Sequence, residues 1–231
     1  MENNQNPLLE GAQILTNSFK EQAYQLIKDA VLYNRFRVGA TYSQEAICSE
    51  LGISRTPVRE ALLELQKEGY VCFCRGKGVK VVPVTEKDAK DVLEMRILLE
   101  QANAKLAAER ATEEQIAQLM DCLNELEVKL STFDGRMLYR IDHTFHRLVA
   151  KMTDNNWIYR QTEMILDNYL RFEVKSVYDN SIDAKIVLEE HQAIGFAIRD
   201  KNPAKAEQAM KRHLNNSYNR TLAKLWTQKE E

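Results

Sequence analysis

The sequence predicts a mainly α-helical protein with two domains: three helices and a β-hairpin first, then an antiparallel bundle of six helices. The 231 residues include only 8 glycines and 4 prolines, which favours long uninterrupted helices. Beyond Thr85, apolar residues recur at helical spacing in every segment. By contrast, residues 70–82 form two short apolar runs around a glycine-rich tip, a pattern typical of paired strands.

Composition narrows the class of protein. With 44% hydrophobic and 29% charged residues, the chain is globular rather than disordered. No apolar run approaches the roughly 20 residues of a membrane helix, and the N-terminus lacks signal-peptide features, so we expect a cytoplasmic protein without a membrane partner. The net charge is −2, so any contact with DNA must come from locally placed charges. The four cysteines lack CxxC spacing and are interpreted as buried or half-buried thiols.

The first two helices follow a flexible N-terminal arm, residues 1–17, which is rich in Asn and Gln. From Ser18 the pattern becomes helical, and a second short helix is expected over residues 43–51. The apolar stripe predicted for the first helix consists of Phe19, Ala23, Leu26, Ile27, Ala30 and Val31.

A tight turn at Gly52 leads into a third helix that opens at Ser54. Either Ser54 or Thr56 could cap it, and Pro57 is tolerated because the N–H groups of a first turn have no partners within the helix. Gly69 is expected to stop this helix. Two short strands around the glycine-rich tip follow, so residues 18–82 are predicted to form a winged helix-turn-helix domain.

The C-terminal part, residues 86–227, reads as helix throughout after a linker at 83–85. Thr85 with Asp88, and Thr112 with Gln115, have capping-box spacing, and Asp134-Gly135 is expected to break the chain. Asn202-Pro203 is expected to cap the last helix. The six predicted helices span residues 85–110, 112–130, 137–152, 156–178, 183–199 and 202–226.

The third helix has the chemistry of a major-groove reader. Arg55 and Arg59 lie four residues apart and so project from one face, where arginine can pair bidentately with guanine. Ser54 and Thr56 can donate to phosphates. The predicted hairpin tip adds two cations and a glycine that permits close approach to a sugar-phosphate backbone, namely Arg75, Lys77 and Gly76.

Residues 54–62, Ser-Arg-Thr-Pro-Val-Arg-Glu-Ala-Leu, with Leu65, Glu68-Gly69 and the later glycine tip, resemble the signature of the GntR family of transcription regulators. The resemblance implies that Arg55, Arg59 and the hairpin tip contact operator DNA. It also implies a homodimer that binds an inverted repeat. One departure is Gln44, where family members often carry an acidic residue, so a contact or cap from that position is in doubt.

All four histidines lie in the predicted bundle. Asp142 and His146 share one helix face, and His191 and His213 fall on two other helices, so three helices could direct these groups to one point. Such a donor set suits Zn²⁺ or Ni²⁺. By spacing alone, however, these residues could equally be surface or core polar groups.

A second resemblance bears on this choice. Asp142, Phe145-His146 and Asn156, with Glu190-His191 and His213-Leu214 later, resemble the FCD (FadR C-terminal domain) subfamily. The resemblance implies an all-helical effector domain with Asp142, His146, His191 and His213 as ligands of a divalent metal. His143 lies about 100° round the helix from Asp142 and is expected to be a bystander.

Arg96 interrupts an apolar stripe on the first predicted helix of the bundle. A buried cation needs an anionic partner or a route to water. Arg96 could therefore bind a small carboxylate beside the metal, or it could simply pair with Glu100. Arg171 is a second candidate for binding the carboxylate.

The leading hypothesis is a DNA-binding regulator whose operator affinity is changed by a metal-bound carboxylate. One alternative is a regulator for which the ion itself is the signal. Another is a metalloenzyme acting on small organic acids, although the sequence lacks a motif such as HExxH for a general base.

Overall fold

A computed structural model describes residues 18–33, 35–130, 135–173 and 184–225. The predicted arm at 1–17 lies outside these described residues. The chain divides into two compact units, Met1–Pro83 and Val84–Glu231. The predicted fold class is confirmed: the first unit is a winged helix-turn-helix, and the described part of the second consists of six helices.

The N-terminal unit contains three helices and three short strands. In chain order these are α1 (Phe19–Leu32), β1 (Thr41–Tyr42), α2 (Gln44–Leu51), α3 (Arg55–Lys67), β2 (Val71–Cys74) and β3 (Gly78–Val81). A capping box starts α1, because Ser18 Oγ accepts from the Glu21 N–H at 3.2 Å and Glu21 Oε2 accepts from the Ser18 N–H at 2.9 Å.

The buried faces of α1 and α3 pack together. The helical spacing of the apolar residues in this segment is confirmed by α1, but not all of them are buried: Phe19 and Leu26 are 64% and 51% exposed. Helix α3 buries one face completely, with Val58, Ala61, Leu62 and Leu65 all at 0% exposure.

The sheet has one strand more than the predicted hairpin. Strand β3 lies between β2 and β1, and both pairings are antiparallel. Strand β1 has two residues, too few for an alternating pattern to show in the sequence. Gly78 has φ +96°, and a Cβ there would lie 2.1 Å from the carbonyl oxygen of Tyr42, so this position requires glycine.

The C-terminal unit is built from α4 (Glu86–Arg110), α5 (Glu113–Leu130), α6 (Gly135–Lys151), α7 (Asn156–Glu173), α8 (Ala184–Arg199) and α9 (Pro203–Leu225). Both predicted capping boxes are present, at Thr85 and Thr112, and Asn202 Oδ1 accepts from the Lys205 N–H at 3.1 Å. Gly135 is the first residue of α6, two residues before the predicted start of that helix, and Asp134 lies outside the described residues.

Helix α4 packs against α6, α7, α8 and α9. The main core lies among α4, α5, α6, α8 and α9, with Leu119, Phe145, Ile194 and Met210 at 0% exposure. An inward side chain of α4 therefore lies among groups from several other helices. None of the described helices is long and apolar enough to cross a membrane. Cys122 is buried and the other cysteines are half-buried, as predicted.

Candidate metal centre and DNA-binding surface

Four buried side chains from three helices meet inside the C-terminal unit. Asp142 and His146 lie one turn apart on α6, His191 lies on α8 and His213 on α9. Each offers one ligand atom, and these atoms all lie within 4.8 Å of one another. The structure therefore brings together all four of the side chains that the sequence singled out, and we call them the four-donor cluster.

The imidazoles of the four-donor cluster direct Nε2 towards a common centre. His191 Nε2 lies 3.0 Å from Asp142 Oδ1, and His146 Nε2 lies 4.0 Å from Asp142 Oδ2. His213 Nε2 lies 3.3 Å from His146 Nε2. The Nε2 atom of His191 is buried without a hydrogen bond.

The other ring nitrogen of each histidine faces an acceptor. His191 Nδ1 lies 2.8 Å from the carbonyl oxygen of Val187, and His213 Nδ1 lies 2.9 Å from Glu190 Oε2. His146 Nδ1 contacts Glu100 Oε2. Carbonyl and carboxylate oxygens only accept hydrogen bonds, so each neutral imidazole carries its proton on Nδ1 and presents a lone pair at Nε2.

This arrangement fits a metal cation. Three lone pairs and a carboxylate point at one place, and two lone pairs 3.3 Å apart repel unless a positive charge lies between them. Zinc and nickel accept imidazole nitrogen and carboxylate oxygen, and metal-bound histidines usually donate their second N–H to a carboxylate or a carbonyl. The four-donor cluster could therefore hold a divalent metal ion.

The pKa values of the donors are shifted by burial and by neighbouring charges. Burial opposes ionisation of Asp142, but His191 beside it holds the pKa of the carboxyl well below its usual range. Burial also lowers the pKa of His213 to about 3, which keeps this ring neutral. Although burial works against it, Asp142 raises the pKa of His191, so a proton and a metal compete for the same place.

Arg96 has the Glu100 partner that the sequence left open. Arg96 Nε lies 2.5 Å from Glu100 Oε1, and the two side chains are 2% and 1% exposed. The guanidinium also lies 4.0 Å from the centre of the Tyr169 ring. Because the other oxygen of Glu100 contacts His146, Arg96 is one side chain removed from a member of the four-donor cluster.

Neither Arg171, the second candidate for binding a carboxylate, nor His143, the expected bystander, belongs to the four-donor cluster. Arg171 Nη1 donates to Asn168 Oδ1 at 3.3 Å, and its charge contributes to lowering the pKa of Asp88. Asp88 lies eight residues before Arg96, about 12 Å along α4. His143 is buried, and burial lowers its pKa to about 4, but it is not one of the four converging groups.

The first turn of α3 presents the predicted DNA-contacting side chains to solvent. Arg55, Thr56 and Arg59 are exposed. Ser54 occupies the N-cap position, but its side chain makes no capping hydrogen bond, contrary to one of the expected roles. Gln44 Nε2 donates to the Arg55 carbonyl oxygen at 3.0 Å, so this departure from the family pattern links α2 to α3.

Arg75, Gly76 and Lys77 are exposed in the turn between β2 and β3. Gly76 has φ +70°, a conformation that glycine adopts readily. The exposed guanidinium of Arg55 lies 3.5 Å from Glu45 Oε1, a surface pair that DNA could displace at little cost.

Two family matches cover almost the whole described chain. Residues 19–81 match the family of bacterial regulatory proteins named gntR, and residues 91–216 match the FCD domain. The chain belongs to the GntR family and carries an FCD domain. Both resemblances drawn from the sequence are thus confirmed.

Relatives that match this GntR-family protein over most of their length are named as regulators. The Uxu operon regulator of Haemophilus influenzae is 32% identical over 83% of this chain and 77% of its own. The HTH-type regulator YdhC of Bacillus subtilis is 28% identical over 84% and 87%. Members of these families are transcription regulators, not enzymes, so the metalloenzyme alternative is abandoned.

Solved structures share the fold of this GntR-family chain. Escherichia coli McbR/YncC superposes with a TM-score of 0.77 at 21% identity, covering 92% of this chain and 99% of that one. A GntR regulator from Rhodococcus sp. RHA1 gives the same TM-score at 22% identity, covering 90% and 99%. At these identities the likeness supports the fold alone.

Three residues beside the four-donor cluster of this GntR-family protein were not predicted as site residues: Glu100, Glu190 and Arg220. Glu100 Oε2 contacts His146 Nδ1, and Glu190 Oε2 lies 2.9 Å from His213 Nδ1. Arg220 binds Glu190 through Nη1 to Oε1 at 3.0 Å and Nη2 to Oε2 at 2.8 Å. Glu100 was considered only as a partner of Arg96. Glu190 is adjacent to His191 yet contacts His213, a pairing that sequence proximity does not reveal.

Proposed function

We propose that this chain is a homodimeric cytoplasmic regulator that binds an inverted-repeat operator, and that a metal-bound small carboxylate in the bundle changes its DNA affinity. The observation that carries the proposal is the convergence of Asp142, His146, His191 and His213 within 4.8 Å. Zn²⁺ and Ni²⁺ are the favoured ions, because the donors are three imidazoles and one carboxylate. With four protein ligands, a five- or six-coordinate ion keeps positions for an effector.

The charge balance of the interior favours an anionic effector. The buried groups at and beside the four-donor cluster comprise three carboxylates, Asp142, Glu100 and Glu190, and the buried guanidinium of Arg96, to which the half-buried Arg220 adds a second positive charge. The resulting net charge is −1 with neutral imidazoles, and a divalent ion would reverse it to +1. Because uncompensated buried charge is costly, one bound carboxylate would restore neutrality.

Arg96 is the favoured effector-binding side chain. Its Nε is held by Glu100, and five N–H donors on a guanidinium allow a second anion to be bound besides that partner. Arg171 is a weaker candidate, since its hydrogen bond to Asn168 and its effect on Asp88 place it near the first turns of α4.

On the DNA side, Arg55 and Arg59 are proposed to read base edges from the exposed first turn of α3. Ser54 and Thr56 would donate to phosphates, and the tip formed by Arg75, Gly76 and Lys77 would contact the backbone alongside. Linkage then requires operator DNA to change effector affinity by the same factor by which effector changes DNA affinity.

The test begins with an operator duplex selected from random DNA by the intact protein. Binding of this duplex is followed by fluorescence anisotropy while candidate carboxylates are titrated into zinc- or nickel-loaded protein. We expect one class of carboxylate to shift the affinity about 5- to 150-fold. His146→Ala should remove this response while retaining operator binding. Arg55→Ala should weaken operator binding while leaving binding of the carboxylate to the metal-loaded protein unchanged in calorimetry.

Two other outcomes would revise the proposal. If metal alone shifts operator affinity and no carboxylate adds to the effect, the ion itself is the signal. If neither metal nor any carboxylate at saturation changes operator affinity, regulation through the four-donor cluster is wrong.

A further inference from the structure

We propose that Glu100 and Glu190 are positioning residues that hold the metal-facing histidines His146 and His213 as Nδ1–H tautomers. The inference rests on the proposed metal site but goes beyond it, because neither carboxylate is a ligand. Each of the two forms the middle of a chain that runs from an arginine, through a carboxylate, to an imidazole.

The first chain is fully buried. Arg96 Nε lies 2.5 Å from Glu100 Oε1, and Glu100 Oε2 contacts His146 Nδ1, with all three side chains at most 2% exposed. The Glu100 carboxylate thus places one oxygen at Arg96 and the other at His146.

The second chain reaches the surface. Glu190 Oε2 lies 2.9 Å from His213 Nδ1, and both of its oxygens are bound by Arg220, whose side chain is 22% exposed. Asn216 Nδ2 also donates to Glu190 Oε1 at 2.7 Å.

The common geometry implies a common role. A carboxylate at Nδ1 excludes the Nε2–H tautomer, orients the ring and increases the basicity of Nε2. Glu190 on α8 contacts His213 on α9, and Glu100 on α4 contacts His146 on α6. The two contacts therefore connect four helices at the centre. Helix α4 thus reaches the centre although it carries none of the four ligands.

The two series of contacts differ in whether their arginine is proposed to bind the effector. Arg96 is the proposed partner of the effector carboxylate, so an effector that draws Arg96 away from Glu100 alters the support of His146. Arg220 binds Glu190 and lies on α9, whereas Arg96 lies on α4. We therefore expect Glu100, but not Glu190, to affect how strongly effector and metal binding depend on each other.

The experiment compares Glu190→Gln and Glu100→Gln with wild type and with Glu163→Gln. Glu163 is a matched control, because it binds Arg147 at 2.7 Å in a half-buried ion pair that involves no member of the four-donor cluster. Zinc and nickel affinities are measured by chelator competition. Histidine tautomers in the metal-free protein are read from long-range ¹H–¹⁵N spectra of ¹⁵N-histidine-labelled samples.

We expect each glutamine substitution at Glu100 and Glu190 to weaken metal binding about 10- to 100-fold, with Glu163→Gln within about twofold of wild type. The spectra of Glu190→Gln should show His213 gaining Nε2–H character. Glu190→Asp, whose shorter side chain withdraws the acceptor but keeps the charge, should give an intermediate affinity. If Glu100→Gln fails to fold, Glu190→Gln alone decides the matter.

Failure of this inference is distinguishable from failure of the metal site. Wild-type affinity and unchanged tautomers in Glu190→Gln, together with metal loss in His213→Ala, would overturn the positioning role and leave the metal site standing. Absence of metal binding by wild type itself would overturn both.

Discussion

Replacing Glu100 by leucine should strongly destabilise the C-terminal unit, because it leaves the Arg96 guanidinium buried without its carboxylate. Arg96 and Glu100 are 2% and 1% exposed and lie 2.5 Å apart, so little water can compensate for a lost partner. Breaking one side of a buried ion pair typically costs about 3–5 kcal/mol. Arg96→Met should cost less, because Glu100 keeps its contact with His146.

The double variant Arg96→Met, Glu100→Leu distinguishes this explanation from a simple loss of packing. With both charges replaced by apolar side chains of similar length, we expect the free energy of unfolding to recover by at least about 1 kcal/mol relative to Glu100→Leu alone. The assay is urea denaturation of metal-free full-length protein followed by circular dichroism, with Lys87→Met, Asp91→Leu as the control for an exposed pair of the same spacing in α4. Costs that add to within about 0.5 kcal/mol would refute the argument from buried charge.

The remaining predictions concern DNA, backbone strain and metal. In anisotropy titrations, Arg59→Ala should cost about 1–3 kcal/mol of operator binding and relax the base preference at one position. Lys77→Ala should weaken binding to all sequences and reduce the slope of log affinity against log salt concentration by about 1. Equal effects of Arg59→Ala on specific and random DNA would contradict the role assigned to Arg59. Gly78→Ala should lower the melting temperature more than Gly76→Ala, because both residues have positive φ but only at Gly78 would the Cβ meet backbone, 2.1 Å from Tyr42 O. Similar melting temperatures would argue against that close approach. Zinc at 100 times its dissociation constant should stabilise the protein by about 2.7 kcal/mol in calorimetry, and His213→Ala should abolish this gain; a gain that survives the substitution would locate the metal elsewhere.

Local signals in the sequence were sufficient for most helices and for their ends. Ser18, Thr85, Thr112 and Asn202 are caps in the structure because capping depends on residues within one turn of each other. Strand β1 was missed because two residues carry no periodicity, and its pairing with β3 depends on residues far away in the sequence. The exposure of Phe19 and Leu26 likewise depends on how much of α1 its neighbours cover.

The candidate metal site was also predicted only in part from the sequence. Spacing placed Asp142 and His146 on one helix face and His191 and His213 on two other helices, and the family resemblance implied that all four are ligands. No spacing rule shows which way side chains on separate helices point. The structure supplied their convergence and the acceptor at each Nδ1. It also showed that Glu100 contacts both Arg96 and His146, where the sequence indicated only the pairing within α4.

By itself, the sequence determined the helical class, the helix caps, the arginines at the start of α3 and the identity of the metal-ligand candidates, because each depends on neighbouring residues or on a recognisable motif. Tertiary structure alone decided which imidazole nitrogen faces the centre, which carboxylate supports it and which glycine meets a neighbouring strand. Those properties depend on distances between helices and strands remote in the chain, and packing of the whole unit sets these distances.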